Sequence, residues 1–154
     1  MELTLDNIDK RILELLQKDG RLTTAQISEQ ISLSASPCAR RIKRLEKDNI
    51  IVGYQAKISR QAVNLNMSVF VHVNLNNHQE KELAAFEREI TDIDQVINGH
   101  VVSEQYDYLL EVVCRDLIAY EKFMRLLRAI PMVKDINSNF AIRTFKEQSA
   151  LPIQ

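Results

Sequence analysis

The sequence predicts an α+β chain of two domains, a small helical domain followed by a ferredoxin-like βαββαβ domain. Three observations carry the prediction. The first third holds three short segments with helical apolar spacing, the remainder interleaves alternating runs with two helical runs, and the charge changes sign between them. Residues 1–60 contain 11 basic and 8 acidic side chains, a net +3, whereas residues 61–154 contain 9 basic and 13 acidic, a net −4. Such asymmetry is expected when only the first part meets a polyanion.

In "LDNIDKRILELLQKDGR", Ile8, Ile12, Leu15 and Leu16 share one helical face. Asp6 is placed to cap its start, and Gly20 to take a left-handed position at its end. Thr23 stands three residues before Gln26, a capping-box spacing that opens a second, short helix burying Ile27 and Ile31. A brief link leads to a third helix with Ser34 as N-cap and Pro37 in its first turn, where missing N–H groups cost nothing.

Five Lys and Arg lie among the fourteen residues from Ser34 to Lys47, against Glu46 alone. On a helical wheel Cys38, Ile42 and Leu45 form the buried stripe; Arg40, Lys43, Arg44 and Lys47 lie opposite, with Arg41 on the flank. A short helix, a tight turn and a second helix with a basic outer face form a helix-turn-helix, which places its second helix in the DNA major groove. Periodicity alone leaves this reading level with that of a merely solvated helix face; on the first, double-stranded DNA is the expected partner. The expected contacts are Thr24, Gln26, Ser34, Ser36, Pro37, Arg40, Arg41, Lys43, Arg44 and Lys47.

After Asn49, "IIVGYQAKI" reads as a short strand and "SRQAVNLN" as a connector. The expected boundaries are 1–52 for the helix-turn-helix domain, 53–66 for a hinge strand and linker, and 67–154 for the second domain. "MSVFVHVNL" alternates strictly, with Met67, Val69, Val71, Val73 and Leu75 on one face and Ser68, Phe70, His72 and Asn74 on the other. Asn77 precedes a helix to about Ile90, with Leu83, Phe86 and Ile90 inward. "QVINGHVVS" and "DYLLEVVC" read as strands around a turn, "DLIAYEKFMRLLRAIP" as a helix stopped by Pro131, and "VKDINSNFAIRTF" as a last strand. Both helices then cover one sheet face, and apolar groups on the other, such as Phe70, favour pairing with a second subunit.

At 154 residues and 45% hydrophobic content the chain can build packed cores. It has no long uncharged apolar window, and "MELTLDNIDKRILELL" carries acids where a secretory leader needs a basic end, so a cytoplasmic protein with no membrane partner is expected. Cys38 and Cys114 are expected to be small buried hydrophobes, without disulfide or zinc spacing. His72, His78 and His100 share no ligand spacing, so neither metal nor cofactor is expected. A chain with only 3 Gly and no glycine-rich anion loop or nucleophile–base pairing is not expected to be an enzyme.

The segments "LDNIDKRILELLQKDGRLTTAQIS", "LSASPCARRIKRLEKDNIIVGYQAKIS", "YDYLLEV" and "KEQSALPI" resemble, from end to end, the leucine-responsive regulatory protein/AsnC (Lrp/AsnC) family of transcription regulators. The resemblance implies a winged helix-turn-helix domain joined by a hinge strand to an ACT-like (RAM) domain that senses a small effector, typically an amino acid. It further implies homodimers formed through the C-terminal sheets, assembling to tetramers or octamers, with effector bound between dimers near the hairpin. The residues it points to are Gly99, His100, Ser103, Glu104, Gln105, Tyr106, Asp107 and Tyr108, Asp107 matching the family's aspartate. Two positions depart from the pattern. Glu104 stands where the family commonly has glycine, adding a carboxylate beside the pocket, and Ala39 stands where a larger residue is frequent, which bears on base preference. The expected function is thus a sequence-specific DNA-binding regulator modulated by a small effector. Its alternative is an effector-independent, DNA-organising protein of the same architecture.

Overall fold

The computed structural model describes residues 4–103, 105–147 and 150–153. It divides into two compact units, residues 1–57 with 146–154, and residues 58–145.

The first unit holds α1 (Asn7–Lys18), α2 (Thr24–Gln30) and α3 (Ala35–Lys47). Asp6 caps α1 through a reciprocal box with Asp9, and Thr23 caps α2 through the same device with Gln26. Ile12, Leu15, Ile27, Cys38 and Leu45 form the buried centre, with Ile42 packed against it. Leu13 is buried as well, so α1 turns a wider stripe inward than its four expected residues. Ser32 adopts φ 55° in the turn between α2 and α3, and Asn49 adopts φ 54° just past α3, a left-handed stop that asparagine tolerates.

Gly20 does not take the left-handed position expected of it. Extended Asp19 ends α1 by donating its N–H to the Leu15 carbonyl, and the Tyr54 ring passes 3.5 Å from where a Gly20 Cβ would stand. The strand expected over residues 50–58 is also not formed. Ile50 and Ile51 pack on the helical core, and residues 52–59 carry no regular structure because no partner strand within the described residues runs beside them. The closing segment belongs with the helices and not with the sheet: Ile153 packs against their core, and Gln17 donates from Nε2 to the Leu151 carbonyl at 3.2 Å.

The second unit holds β1 (Met67–Leu75), α4 (Glu80–Thr91), β2 (Val96–Val101), β3 (Tyr108–Cys114), α5 (Leu117–Ala129) and β4 (Val133–Phe140). These strands form one antiparallel sheet in the order β2-β3-β1-β4, the ferredoxin-like arrangement. Val69, Val71, Val73 and Leu75 of β1 meet Phe86 and Ile90 of α4 and Phe123 and Leu127 of α5 in a single core. The opposite face carries Phe70 directly across from Glu111. There Arg60 donates to Ser68 Oγ at 2.8 Å and to Glu111 at 3.1 Å.

The start of α4 after Asn77 is as expected, and the end of β4 is not. α4 starts at Glu80 with Gln79 as N-cap, and Asn77 Oδ1 accepts the Gln79 N–H. β4 stops at Phe140; Ile142 and Phe145 beyond it are exposed, and among the described residues no strand runs beside them.

Candidate nucleic-acid interface and effector hairpin

α3 is built to show one face. Cys38 and Leu45 are fully buried, whereas Ser34, Ser36, Arg40, Lys43, Arg44 and Lys47 are exposed and Pro37 is half-buried. Ser34 occupies the N-cap position but makes no side-chain cap bond, so its hydroxyl is left for another acceptor or donor. Across the turn, Thr24 is half-buried, and the Gln26 carbonyl oxygen is engaged by the Thr23 N–H at 2.8 Å.

The cations of this face fall into two sets. Among the described residues Arg40, Lys43 and Lys47 pair with no carboxylate, and Glu46 accepts from the Tyr54 hydroxyl at 3.0 Å. Arg41 Nη1 instead lies 2.6 Å from Asp6 Oδ2 and 2.8 Å from Asp9 Oδ1, while Arg44 Nη2 donates to Asp9 Oδ2. The Asp9 N–H and then the Arg41 guanidinium hold the Asp6 carboxyl below its usual pKa, and Asp6 and Asp9 together push that of Arg41 up. Sequence reading missed this cluster. Its visible sign was Asp6 and Asp9 in one helical turn facing the flank on which Arg41 falls.

Among the described hairpin residues, Gly99, His100 and Tyr108 line one groove, and Ser103, Gln105, Tyr106 and Asp107 do not. Gly99 and His100 lie on exposed edge strand β2, and Ser103 and Gln105 are exposed in the connecting loop. The Tyr106 ring stacks near His72, centroids 4.7 Å apart. Asp107 is engaged through both oxygens, Oδ2 accepting the Leu75 N–H at 2.7 Å and Oδ1 lying 2.8 Å from His78 Nε2. Tyr108 is buried among core side chains and donates its hydroxyl to Glu87 at 3.0 Å. Burial, reinforced by Glu87, pushes the Tyr108 pKa well up, so the phenol keeps its proton. Glu104 lies outside the described residues.

Beside β2 runs an open groove of about 480 Å³, floored by Phe86, Ile90, Val96 and Leu110 with Gly99 and His100 at its edge. Neither Glu87 nor His78 was singled out from sequence as part of this region. Each lies many residues from the hairpin, and only the tertiary fold brings them to it.

Comparison with known proteins places both halves. Residues 5–52 match a winged helix-turn-helix DNA-binding model, and residues 68–151 match an Lrp/AsnC ligand binding domain model. The chain is 39% identical over 150 residues to the Bkd operon transcriptional regulator of Pseudomonas aeruginosa, covering 97% of this chain and 98% of that protein. It is 32% identical over 151 residues to the leucine-responsive regulatory protein of Escherichia coli K12, covering 97% and 92% respectively. Among solved structures, a transcriptional regulator of Neisseria meningitidis in complex with L-Met aligns with a TM-score of 0.93 at 33% identity over 97% of both chains.

Proposed function

The chain belongs to the Lrp/AsnC family of transcription regulators, with a DNA-binding helix-turn-helix and a ligand-binding domain, and from that premise we propose which residues do the work. The α3 helix enters the major groove, Arg40, Lys43 and Lys47 contact phosphates, and Ser34 and Ser36 at its N-terminus, with Thr24 of α2, reach phosphates or base edges. The observation that carries this reading is the exposure of those three unpaired cations opposite the buried Cys38 and Leu45. Arg41 and Arg44 add to the same surface from its flank, with the restriction argued below.

In the second unit the effector is an amino acid held at the β2–β3 hairpin. The L-Met complex of the similar Neisseria regulator supports that ligand class. The open sheet face, where Phe70 is 39% exposed, is the surface for a second copy of the chain. Two copies present two recognition helices to successive grooves, so a roughly palindromic operator is expected. As a regulator acting on DNA, the protein works in the cytoplasm in this reading. An effector changes DNA binding only through different affinity for two states of conformation or assembly.

Thermal unfolding with each of the twenty amino acids present in turn tests the effector assignment. A ligand bound to the folded protein raises the midpoint in proportion to the logarithm of its concentration. A midpoint indifferent to all twenty contradicts an amino-acid effector.

A further inference from the structure

The basic side chains of α3 are not equivalent. Arg41 and Arg44 both lean on Asp9, whose side chain is only 1% exposed, and Arg41 also reaches Asp6. The capping box holds these carboxylates ready: Asp6 Oδ1 accepts the Asp9 N–H at 2.8 Å, and Asp9 Oδ2 accepts the Asp6 N–H at 3.3 Å. Two guanidiniums thus meet two carboxylates in a cluster without net charge.

A phosphate can use the remaining N–H groups of either guanidinium but meets a charge that Asp9 already offsets, and one that takes the arginine fully must draw it from Asp9. That would leave a buried anion short of a partner beside an anionic duplex, and both consequences oppose the contact. Arg40, Lys43 and Lys47 carry no such restraint among the described residues.

We propose that Asp9 is a positioning residue that determines DNA specificity. It withdraws Arg41 and Arg44 from the cations that release counterions, and it fixes α3 against α1. The sequence-independent attraction that α3 itself supplies is thereby limited to Arg40, Lys43 and Lys47, while base-reading groups at the start of α3 are held in register. Non-specific binding is almost wholly phosphate attraction, so restraining it raises the ratio of operator to random-sequence affinity. The inference rests on α3 being the helix that meets DNA.

The test compares salt dependence of binding to a random-sequence duplex and to the best duplex selected from a randomised pool, for wild type, R40A, R44A and D9N. Asparagine keeps the size and an acceptor oxygen of Asp9 while removing its charge. R40A is expected to lower the slope of log affinity against log salt by about 0.9 per protomer, and R44A, which leaves Asp9 its Arg41 partner, to leave it unchanged. D9N is expected to steepen the slope on random DNA by about 0.9 per protomer, for the freed Arg44 guanidinium, since Arg41 keeps Asp6, and to reduce the selected-to-random ratio several-fold. An R44A loss equal to that of R40A, or a D9N protein with unaltered slope and ratio, overturns the inference. Should D9N not fold, R44A against R40A decides alone. An R40A protein with wild-type slope instead overturns the placement of α3 on DNA, so the two failures are distinguishable.

Discussion

Asp107 Oδ2 accepts the Leu75 N–H at 2.7 Å, tying the hairpin to the end of β1 across 32 residues of sequence. The Asp107 N–H reaches back to the Val73 carbonyl at 3.1 Å and to Asn74 Oδ1 at 3.0 Å. This residue therefore holds the loop in place before any ligand arrives, whatever it later contributes to one. D107A leaves the Leu75 N–H without its acceptor and is expected to lower stability by about 1–3 kcal/mol. Urea unfolding reads the loss, and D107N, which restores an acceptor, recovers part of it. An alanine variant as stable as wild type would show that the tie contributes nothing.

Stability on the acid side has a defined source. Asp116 caps α5 by accepting the Ala119 N–H at 2.8 Å, and that bond first, then Arg115, holds its carboxyl below the ordinary 3.8; Asp6 is lowered likewise by the Asp9 N–H. A depressed folded-state pKa gives stability that is complete above the unfolded value and is lost as pH falls from there through the lower folded-state value. D116N keeps a good N-cap but removes the titrating group. Its stability deficit is expected at neutral pH and to shrink towards zero as pH drops below 3.8, which denaturant midpoints across that range will show.

Tyr108 sets a limit on the alkaline side. Its raised pKa means the unfolded chain releases the phenolic proton near pH 10 while the folded chain still holds it. The contribution is therefore complete below pH 10 and declines above it. Y108F loses the Glu87 bond at every pH but has no phenol to titrate. The wild-type advantage is expected to narrow once pH passes about 10, and an advantage that stays constant would contradict the assignment.

The closing segment stabilises the helical unit. Deleting residues 146–154 removes Ile153 from the Ile12–Leu45 core and breaks the Gln17 to Leu151 contact. The expected cost is about 1–2 kcal/mol, that of exposing one partly buried aliphatic side chain and its surroundings. Amide exchange should quicken in α1 while β1 and β3 keep their protection.

Much of this architecture was legible in the residues, because period and cap chemistry are local. Met67 to Leu75 alternates visibly, and the Asp6 and Thr23 caps formed where their spacings placed them. Which strand-like stretches lack a partner was not legible. Val52 to Ser59 and Ile142 to Phe145 have strand-like composition, yet no strand runs beside them among the described residues, and composition cannot supply a neighbour. The site divides the same way. The exposed face of α3 followed from the wheel, but a wheel shows where Arg41 and Arg44 point and not that Asp9 waits there. Asp107 was recognisable by motif alone, and its grip on Leu75 and His78 came from tertiary register.

The most direct measurement is recovery and sequencing of genomic fragments bound by the full chain at fixed physiological salt, with and without a mixture of the twenty amino acids. Salt must be held constant because phosphate attraction depends steeply on it. A regulator with an amino-acid effector yields a small set of enriched promoter fragments whose recovery changes when the mixture is added. Enrichment indifferent to the mixture contradicts amino-acid control and favours an effector-independent DNA-organising role, and recovery no different from random fragments contradicts sequence-specific reading by α3.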